Sequence, residues 1–284
     1  MTGTVRTAVF PVAGRGTRFL PVTKSVPKEL LPVVDKPLIQ YAVEEAVAAG
    51  ATRLIFVTHS SKSAIERHFQ SDRDLEQALF GKDQQDLLAL VQGTVPAGVS
   101  FNYIEQREPL GLGHAVLCAR DAVDGEPFFV HLPDDLIRSR VGCLQQLLNR
   151  YEQHQSSVIA VEEVALEKTS SYGIVALDDN ARLREIVEKP EPADAPSNLG
   201  VVGRYLLTPR IFDLLETTPR GSGGEIQLTD ALATLLQYED IFAVRFSGTR
   251  YDCGNTLGYI RANVDFALDR DDLREDLRSA LKNL

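Results

Sequence analysis

The stretch that decides the fold is R-T-A-V-F-P-V at Arg6–Val12, followed by A-G-R-G-T-R at Ala13–Arg18 and P-K-E-L-L-P at Pro27–Pro32. The first segment is rich in apolar and β-branched residues and therefore predicts a buried strand. Gly14 and Gly16 come next, and because they carry no Cβ they let backbone N–H groups approach an anion. A buried strand that runs into such a turn predicts a phosphate-binding loop.

The charge around this loop is opposite to the charge of the whole chain. The 284 residues carry a net charge of −10, but residues 1–36 hold six cations against two anions. The six cations are Arg6, Arg15, Arg18, Lys24, Lys28 and Lys36. A local positive region on an acidic protein favours a small polyanionic ligand over a nucleic-acid track.

Two common glycine motifs do not describe the loop. The dinucleotide fingerprint G-x-G-x-x-G requires a third glycine where this chain has Phe19, which disfavours a dehydrogenase that binds NAD. The P-loop string G-x-x-x-x-G-K-[ST] does not occur in the chain.

Composition sets the broad class of protein. The length permits a substantial core, and no run approaches the roughly 20 apolar residues of a membrane span. The chain opens directly into a strand, without the pattern of a signal peptide. Its cysteines, Cys118, Cys143 and Cys253, lie far apart and form no C-x-x-C. We therefore expect a cytoplasmic protein with reduced thiols and no membrane contact.

Strand and helix patterns alternate along the first half of the chain, for example strand Arg53–Thr58, strand Phe128–Leu132 and helix Cys143–His154. This alternation predicts a Rossmann-like, doubly wound, mostly parallel α/β sheet flanked by helices. Ligands of such sheets lie at the carboxyl ends of the strands. Shorter strands follow from Tyr172 onward, and we expect them to extend the same sheet within a single domain, 1–284.

The C-terminal segment, about 255–284, carries a stripe of leucines separated by charges. Its members are Leu268, Leu273, Leu277, Leu281 and Leu284. A helix that packs on its own domain and a helix that contacts another subunit are both compatible with this stripe.

Further motifs follow the phosphate-binding loop in a fixed order. They are V-D-K-P-L-I-Q-Y (34–41), V-T-H-S-S-K (57–62), G-L-G-H-A-V-L (111–117), L-P-D-D (132–135), V-E-K-P (187–190), S-N-L-G-V-V-G-R-Y (197–205), G-E-I-Q-L-T-D (224–230) and D-C-G-N (252–255). Together they resemble the sugar-1-phosphate nucleotidylyltransferases, in particular the bacterial UTP–glucose-1-phosphate uridylyltransferases (UDP-glucose pyrophosphorylases). The resemblance runs from Thr7 to about Phe266 and implies a nucleotidyltransferase fold with a sugar-binding extension.

The reaction that the resemblance implies is attack by the phosphate of α-D-glucose 1-phosphate on the α-phosphorus of UTP, with release of diphosphate. Charge neutralisation and alignment dominate such phosphoryl chemistry. The resemblance implies four catalytic residues, namely Arg18, Lys28, Lys189 and Asp134. Arginine offers phosphate a planar fork and lysine a compact charge.

A metal is expected as well. Asp134 follows the predicted strand Phe128–Leu132, and Asp252 lies in a predicted loop near the C-terminus. Two carboxylates together with substrate phosphates suffice for Mg²⁺, which keeps several waters. The resemblance selects Asp134 and Asp252 as the ligands of Mg²⁺, while the residues alone leave Asp135 open.

The resemblance also assigns the two substrates to positions of this chain. For the nucleotide it implies Ala13, Gly14, Gly16, Arg18, Lys28, Gln106 and Gly111. For the sugar phosphate it implies Tyr172, Gly173, Glu188, Lys189, Asn198 and Gly200. A primary amide such as that of Gln106 presents a donor and an acceptor together, which suits the imide edge of uracil.

Several alternatives stay open at this point. Arg15, Lys24 and His114 could contact the nucleotide or serve structure only, and for Glu225 helix capping is favoured over a role in the sugar pocket. Thymidylyl transfer is the nearest rival reaction, since the two nucleotides differ only by a methyl group and a hydroxyl. A non-catalytic regulatory paralogue is the rival of another class. We expect a homo-oligomer, either a dimer or a tetramer.

Overall fold

A computed structural model describes residues 5–283, apart from the side chain of Ser222. Within them the strands are β1 (Thr7–Pro11), β2 (Pro32–Val33), β3 (Lys36–Pro37), β4 (Arg53–Thr58), β5 (Ser100–Glu105), β6 (Phe128–His131), β7 (Asp135–Arg138), β8 (Val158–Glu163), β9 (Gly173–Leu177), β10 (Leu183–Glu188), β11 (Leu199–Leu207), β12 (Phe242–Arg245) and β13 (Thr249–Asp252). The helices are α1 (Leu38–Ala48), α2 (Ser63–His68), α3 (Arg73–Gly81), α4 (Gln85–Gln92), α5 (Leu112–Cys118), α6 (Arg120–Val123), α7 (Cys143–His154), α8 (Arg210–Thr217), α9 (Leu228–Leu235), α10 (Thr256–Asp269) and α11 (Arg274–Lys282).

A central mixed sheet organises the molecule. Its strands follow the order β10-β9-β11-β6-β1-β4-β5, and β8 pairs with both β11 and β12. The pairs β1–β4, β1–β6, β4–β5 and β8–β12 are parallel, whereas β11 is antiparallel to its neighbours. The prediction of a mostly parallel α/β sheet is confirmed.

Both faces of the sheet are covered, as a doubly wound fold requires. Along β1 the side chain of Val9 belongs to one buried cluster, while those of Ala8 and Phe10 belong to another. Helices α5, α8 and α9 contribute to the first cluster, and α1 and α7 to the second. Because β1 and β6 are parallel neighbours, their carboxyl ends reach the same edge of the sheet, where we expect the ligands.

A short antiparallel ribbon of β7 and β13 stands beside this edge, and the sequence did not predict it. Asp252 is the last residue of β13 and pairs in register with Asp135, so the prediction that Asp252 lies in a loop was wrong. The segment T-R-Y-D has no apolar run, so its strand conformation depends on pairing with a segment more than 100 residues away.

The C-terminal segment forms two helices. In α10, Ala262 is fully buried, and the ring of Phe266 packs against Tyr41 and Tyr251 of the same chain. Helix α11 contains no buried residue among those described, and Leu284 lies outside the described part of the chain. Helix α10 therefore packs on its own domain, which is one of the two alternatives given for this segment. No helix within residues 5–283 is long and apolar enough to cross a membrane.

Candidate active site

The glycine turn folds back onto the segment that carries Lys28. Gly16 has a φ of +64°, and a Cβ there would lie 3.2 Å from Cβ of Lys28. The Thr23 hydroxyl donates to the carbonyl oxygen of Gly16 at 2.8 Å and closes the turn. Both the backbone conformation and the close approach favour glycine at this position.

The loop presents positive charge to a cavity. The cavity has a volume of about 530 Å³, and its lining includes Ala13, Arg15, Lys24 and Gln106. Within residues 5–283 the exposed side chains of Arg15, Arg18 and Lys24 have no hydrogen-bond or ion-pair partner. Arg15 and Lys24 line the cavity and are available to a polyanionic ligand there, whereas Arg18 is exposed but does not line it.

A buried ion pair between Lys62 and Glu29 lies next to the glycine loop. The sequence analysis assigned no role to either residue. The Lys62 ammonium donates to both carboxylate oxygens of Glu29, at 3.0 and 2.8 Å, and to the Val12 carbonyl at 2.6 Å. Burial raises the pKa of Glu29 and lowers that of Lys62, and the attraction within the pair opposes both shifts. Both residues stand in motifs quoted above, yet their burial cannot be read from those motifs. The pair fixes the end of β1 relative to the turn that carries Lys28.

We expect Lys62→Met to lower the free energy of unfolding by about 3 kcal/mol, because it leaves the Glu29 carboxyl buried without its partner. Urea denaturation measures the change. Lys36→Met, which breaks the more exposed pair with Glu44, should cost less than about 1 kcal/mol. A Lys62→Met variant as stable as Lys36→Met would contradict the supporting role of the buried pair.

Lys28 and Asp134 meet across the edge of the sheet. The Lys28 ammonium lies 2.5 Å from Oδ2 of Asp134, although 106 residues separate them. Burial by itself raises the pKa of the Asp134 carboxyl, but the Lys28 ammonium outweighs burial and holds that pKa below its ordinary value. Burial lowers the pKa of Lys28, and the nearby carboxylates, Asp134 first, reverse that effect and raise it. Both groups are therefore charged at neutral pH.

The carboxylate groups of Asp252 and Asp134 lie close together. Oδ2 of Asp134 and Oδ1 of Asp252 each lie 3.0 Å from the position that a Cβ on Gly254 would occupy. The Gly254 amide donates to Oδ1 of Asp252 at 3.0 Å, and the Cys253 amide donates to the Asp134 carbonyl at 2.7 Å. A side chain at position 254 would fill the space between the two carboxylates.

Asp135, whose role the sequence left open, is occupied by protein groups. Its Oδ2 accepts from the Gly203 amide at 2.7 Å, and its Oδ1 accepts from Nε of Arg250 at 2.7 Å. Asp134 and Asp252 differ from it, because contacts with Lys28 and the Gly254 amide engage Oδ2 of Asp134 and Oδ1 of Asp252 and leave the second oxygen of each carboxylate available to a cation. Among residues 5–283 no three His, Cys, Asp or Glu side chains form a metal-binding group by themselves.

Gln106 is buried and oriented by two neighbours. Its Nε2 donates to the Gly111 carbonyl at 3.1 Å and lies 2.9 Å from Nδ1 of His114. These contacts occupy the donors of the amide, so Oε1 is the group left to meet a ligand. His114 therefore orients Gln106, and its contact with the nucleotide stays an open alternative.

Glu225 does not cap α9, contrary to the expectation. The N-cap position of α9 belongs to Gln227, two residues further along the chain. Glu225 packs against Gly111 instead, where a Cβ would lie 2.6 Å from Cβ of Glu225. Gly111 also has a φ of +98°, so both the backbone and the packing require glycine here.

The residues predicted for the sugar phosphate lie together on the β9–β11 part of the sheet. The Lys189 ammonium is 3.1 Å from Oε1 of Glu188, and the Lys189 amide donates to the Tyr172 carbonyl at 2.9 Å. Oε2 of Glu188 lies 3.4 Å from the position that a Cβ on Gly173 would occupy. A Cβ on Gly200 would likewise contact the Tyr172 ring. Asn198 is exposed, and its carbonyl accepts from the Val164 amide.

These features define a class of protein: an α/β sheet whose edge carries a cationic glycine loop and two acidic side chains, with the Lys189–Glu188 pair on a neighbouring part of the sheet. A family model described as nucleotidyl transferase matches residues 8–268. The chain belongs to this nucleotidyl transferase family.

Particular relatives are similar over almost the whole chain. The UTP–glucose-1-phosphate uridylyltransferase of Bacillus subtilis (strain 168) is 47% identical over 284 residues, which cover 99% of this chain and 97% of the relative. A UTP-bound UGPase from Acinetobacter baumannii superposes with a TM-score of 0.91 at 44% identity, covering 99% of each chain. A UDP-glucose pyrophosphorylase complexed with UDP-glucose has a TM-score of 0.84 at 43% identity, covering 94% of this chain and 100% of that one.

Proposed function

We propose that this chain transfers the uridylyl group of UTP to α-D-glucose 1-phosphate and thereby forms UDP-glucose and diphosphate. One observation carries the proposal: over 94% or more of its length the chain matches relatives solved with UTP and with UDP-glucose, at 43–44% identity. The structure supports it because the groups that this reaction needs converge on one edge of the sheet.

The nucleotide occupies the half of the cleft built by the glycine loop. The Gln106 amide and the backbone of Gly111 meet the uracil, and Ala13 and Gly14 complete that pocket with main-chain groups. A Cβ at Gly14 would have no described atom within 4 Å, so the backbone there is open to a ligand. Lys28 and Arg18 neutralise the triphosphate, and Arg15 and Lys24 lie close enough to the cavity to assist.

Asp134 and Asp252 would hold one Mg²⁺ at this edge. The donor set fits, since the two carboxylates lie together beside Gly254, each has a second oxygen besides the one that contacts Lys28 or the Gly254 amide, and Mg²⁺ prefers a few carboxylates together with phosphates and water. When bound, the ion supplies positive charge to the phosphate oxygens as they become more negative.

The sugar phosphate lies in the other half of the cleft. Lys189 binds its phosphate, and Glu188 accepts hydrogen bonds from sugar hydroxyls, while Gly173 and Gly200 let Glu188 and Tyr172 pack closely against the backbone. The nucleophile is a phosphate oxygen that is already ionised at neutral pH, so the chain need not remove a proton from it. Its contribution is to align that oxygen with the α-phosphorus and to neutralise the departing diphosphate.

The test is diphosphate release with a panel of nucleoside triphosphates and sugar 1-phosphates. We expect the highest kcat/KM with UTP and glucose 1-phosphate in the presence of Mg²⁺. A preference for dTTP would assign thymidylyl transfer instead, and a lack of diphosphate release with every pair would indicate the non-catalytic paralogue. The cytoplasmic location and the homo-oligomeric state stay predictions.

A further inference from the structure

Arg250 on β13 is a buried arginine to which the proposed function gives no task. Only 9% of its side chain is exposed. Its Nε and one terminal nitrogen lie 2.7 and 2.5 Å from Oδ1 of Asp135. The other terminal nitrogen lies 2.6 Å from Oε1 of Glu162 and 3.3 Å from the Tyr172 hydroxyl. Since a buried charge is tolerated only when it is paired and hydrogen-bonded, these contacts restrain the guanidinium and its three partners together.

On one side, Arg250 fixes the loop that carries Asp134. The Asp135 carboxylate is held at both oxygens, by Arg250 at Oδ1 and by the Gly203 amide at Oδ2. Asp135 is the next residue after Asp134, so its restraint sets the position of the Asp134 backbone. Arg250 also stands two residues before Asp252 on the same strand, and residues at that spacing share one face.

On the other side, Arg250 fixes the sugar-phosphate half. The guanidinium carbon lies 5.4 Å from the centroid of the Tyr172 ring, and Tyr172 packs on Gly200. The Tyr172 carbonyl in turn accepts from the Lys189 amide at 2.9 Å. Lys189 has a φ of +47°, a conformation that a non-glycine residue adopts when its surroundings impose it.

We infer that Arg250 is a positioning residue that sets the distance between Asp134 and Lys189, and thereby the distance between the α-phosphorus and the attacking phosphate. This inference rests on the proposed function, because the two residues belong to its two substrate sites. The planar fork of arginine serves Asp135, Glu162 and Tyr172 at once, and a lysine ammonium cannot reproduce that geometry. A misplacement of about 1 Å between reactants can cost about a hundredfold in rate.

The test compares the two substrates in Arg250→Met and Arg250→Lys. For Arg250→Met we expect kcat/KM for glucose 1-phosphate to fall about a hundredfold, with a smaller fall for Arg250→Lys. The Kd for UTP, titrated calorimetrically without sugar phosphate, should stay within about threefold of the wild-type value, because the nucleotide residues do not contact Arg250. Arg245→Met is the matched control. Arg245 on β12 pairs with Glu163 on β8, but 63% of the Arg245 side chain is exposed.

A purely structural role of Arg250 makes a different prediction. Arg250→Met leaves Asp135 and Glu162 buried without their cation, so its stability falls, and the added change Glu162→Gln should restore part of it. If Arg250 positions the substrates, this double variant regains stability while kcat/KM for glucose 1-phosphate stays low. If Arg250→Met does not fold, kcat/KM for glucose 1-phosphate and the Kd for UTP are compared in Arg250→Lys and in the double variant.

The inference stands if the loss in kcat/KM for glucose 1-phosphate exceeds the loss in UTP affinity by about tenfold or more. It is overturned if the two losses are closer than that, or if activity returns together with stability in the double variant. A wild-type chain that forms no UDP-glucose would overturn the proposed function, and this inference with it. An active wild type with equal losses for both ligands would overturn only the role of Arg250.

Discussion

Asp134→Asn is expected to lower kcat by about a hundredfold or more, which is about 2.7 kcal/mol of transition-state stabilisation. Asparagine has nearly the same shape and its carbonyl oxygen can still accept from the Lys28 ammonium, so the fold should persist, but it removes the negative charge that would hold Mg²⁺ beside the α-phosphate. The affinity for UTP should change little, because the variant retains Lys28, Arg18 and the pocket for the base. Steady-state turnover at saturating substrates, with calorimetry for UTP, measures both quantities.

A second readout separates metal binding from turnover. We expect the affinity of the UTP complex for Mn²⁺, followed by electron paramagnetic resonance, to fall in Asp134→Asn. Asp121→Asn, on the exposed first turn of α6, is the control and should retain wild-type values. Wild-type turnover in Asp134→Asn would remove this carboxylate from the mechanism.

Replacing the two lysines of the cleft should weaken different ligands. Lys28→Met is expected to raise the Kd for UTP by roughly tenfold to a hundredfold, since a hydrogen bond to a charged group contributes about 1.5–3 kcal/mol. Lys189→Ala should weaken glucose 1-phosphate by a comparable factor and slow turnover, because the nucleophile loses both attraction and alignment. Calorimetric titration of each variant with each ligand distinguishes the two effects.

Lys82→Ala, which removes an exposed lysine after α3, controls for the loss of one positive charge. It should leave both affinities within about twofold of wild type, because charges distant from the ligand are screened by salt. Loss of UTP binding in Lys189→Ala with unchanged affinity for glucose 1-phosphate would reverse the assignment of the two sites.

Much of the fold follows from local patterns. The apolar runs of β1 and β6 alternate with helical segments, and this alternation alone predicts a parallel sheet with ligands at one edge. The helix Cys143–His154 has the bounds that its pattern predicts. The glycine turn was predictable too, because Gly14 and Gly16 follow a buried strand directly.

Other parts of the site depend on contacts between distant segments. Lys62 becomes buried only because Glu29, 33 residues away, lies beneath the same loop. Arg250 and Asp135 meet through a strand pair whose sequence shows no strand pattern, across 115 residues. A charged residue in such a segment is usually solvated, so nothing local distinguishes these residues from surface charges.

The expectation that Glu225 caps a helix was wrong for a related reason. The sequence places this residue just before α9, where an acidic side chain commonly binds free backbone amides. The structure uses Glu225 to pack against Gly111 from a segment more than 100 residues earlier. Tertiary packing decides its role.

The central claim is that the sugar phosphate of glucose 1-phosphate attacks the α-phosphorus of UTP on this chain. It is tested most directly with glucose 1-phosphate that carries ¹⁸O at all three non-bridging oxygens of its phosphate, with the products analysed by ³¹P NMR and mass spectrometry. We predict that the label appears in UDP-glucose, with one ¹⁸O in the bridge between its two phosphorus atoms, and that the diphosphate contains none. Label in the diphosphate, or consumption of UTP without labelled UDP-glucose, would contradict the account.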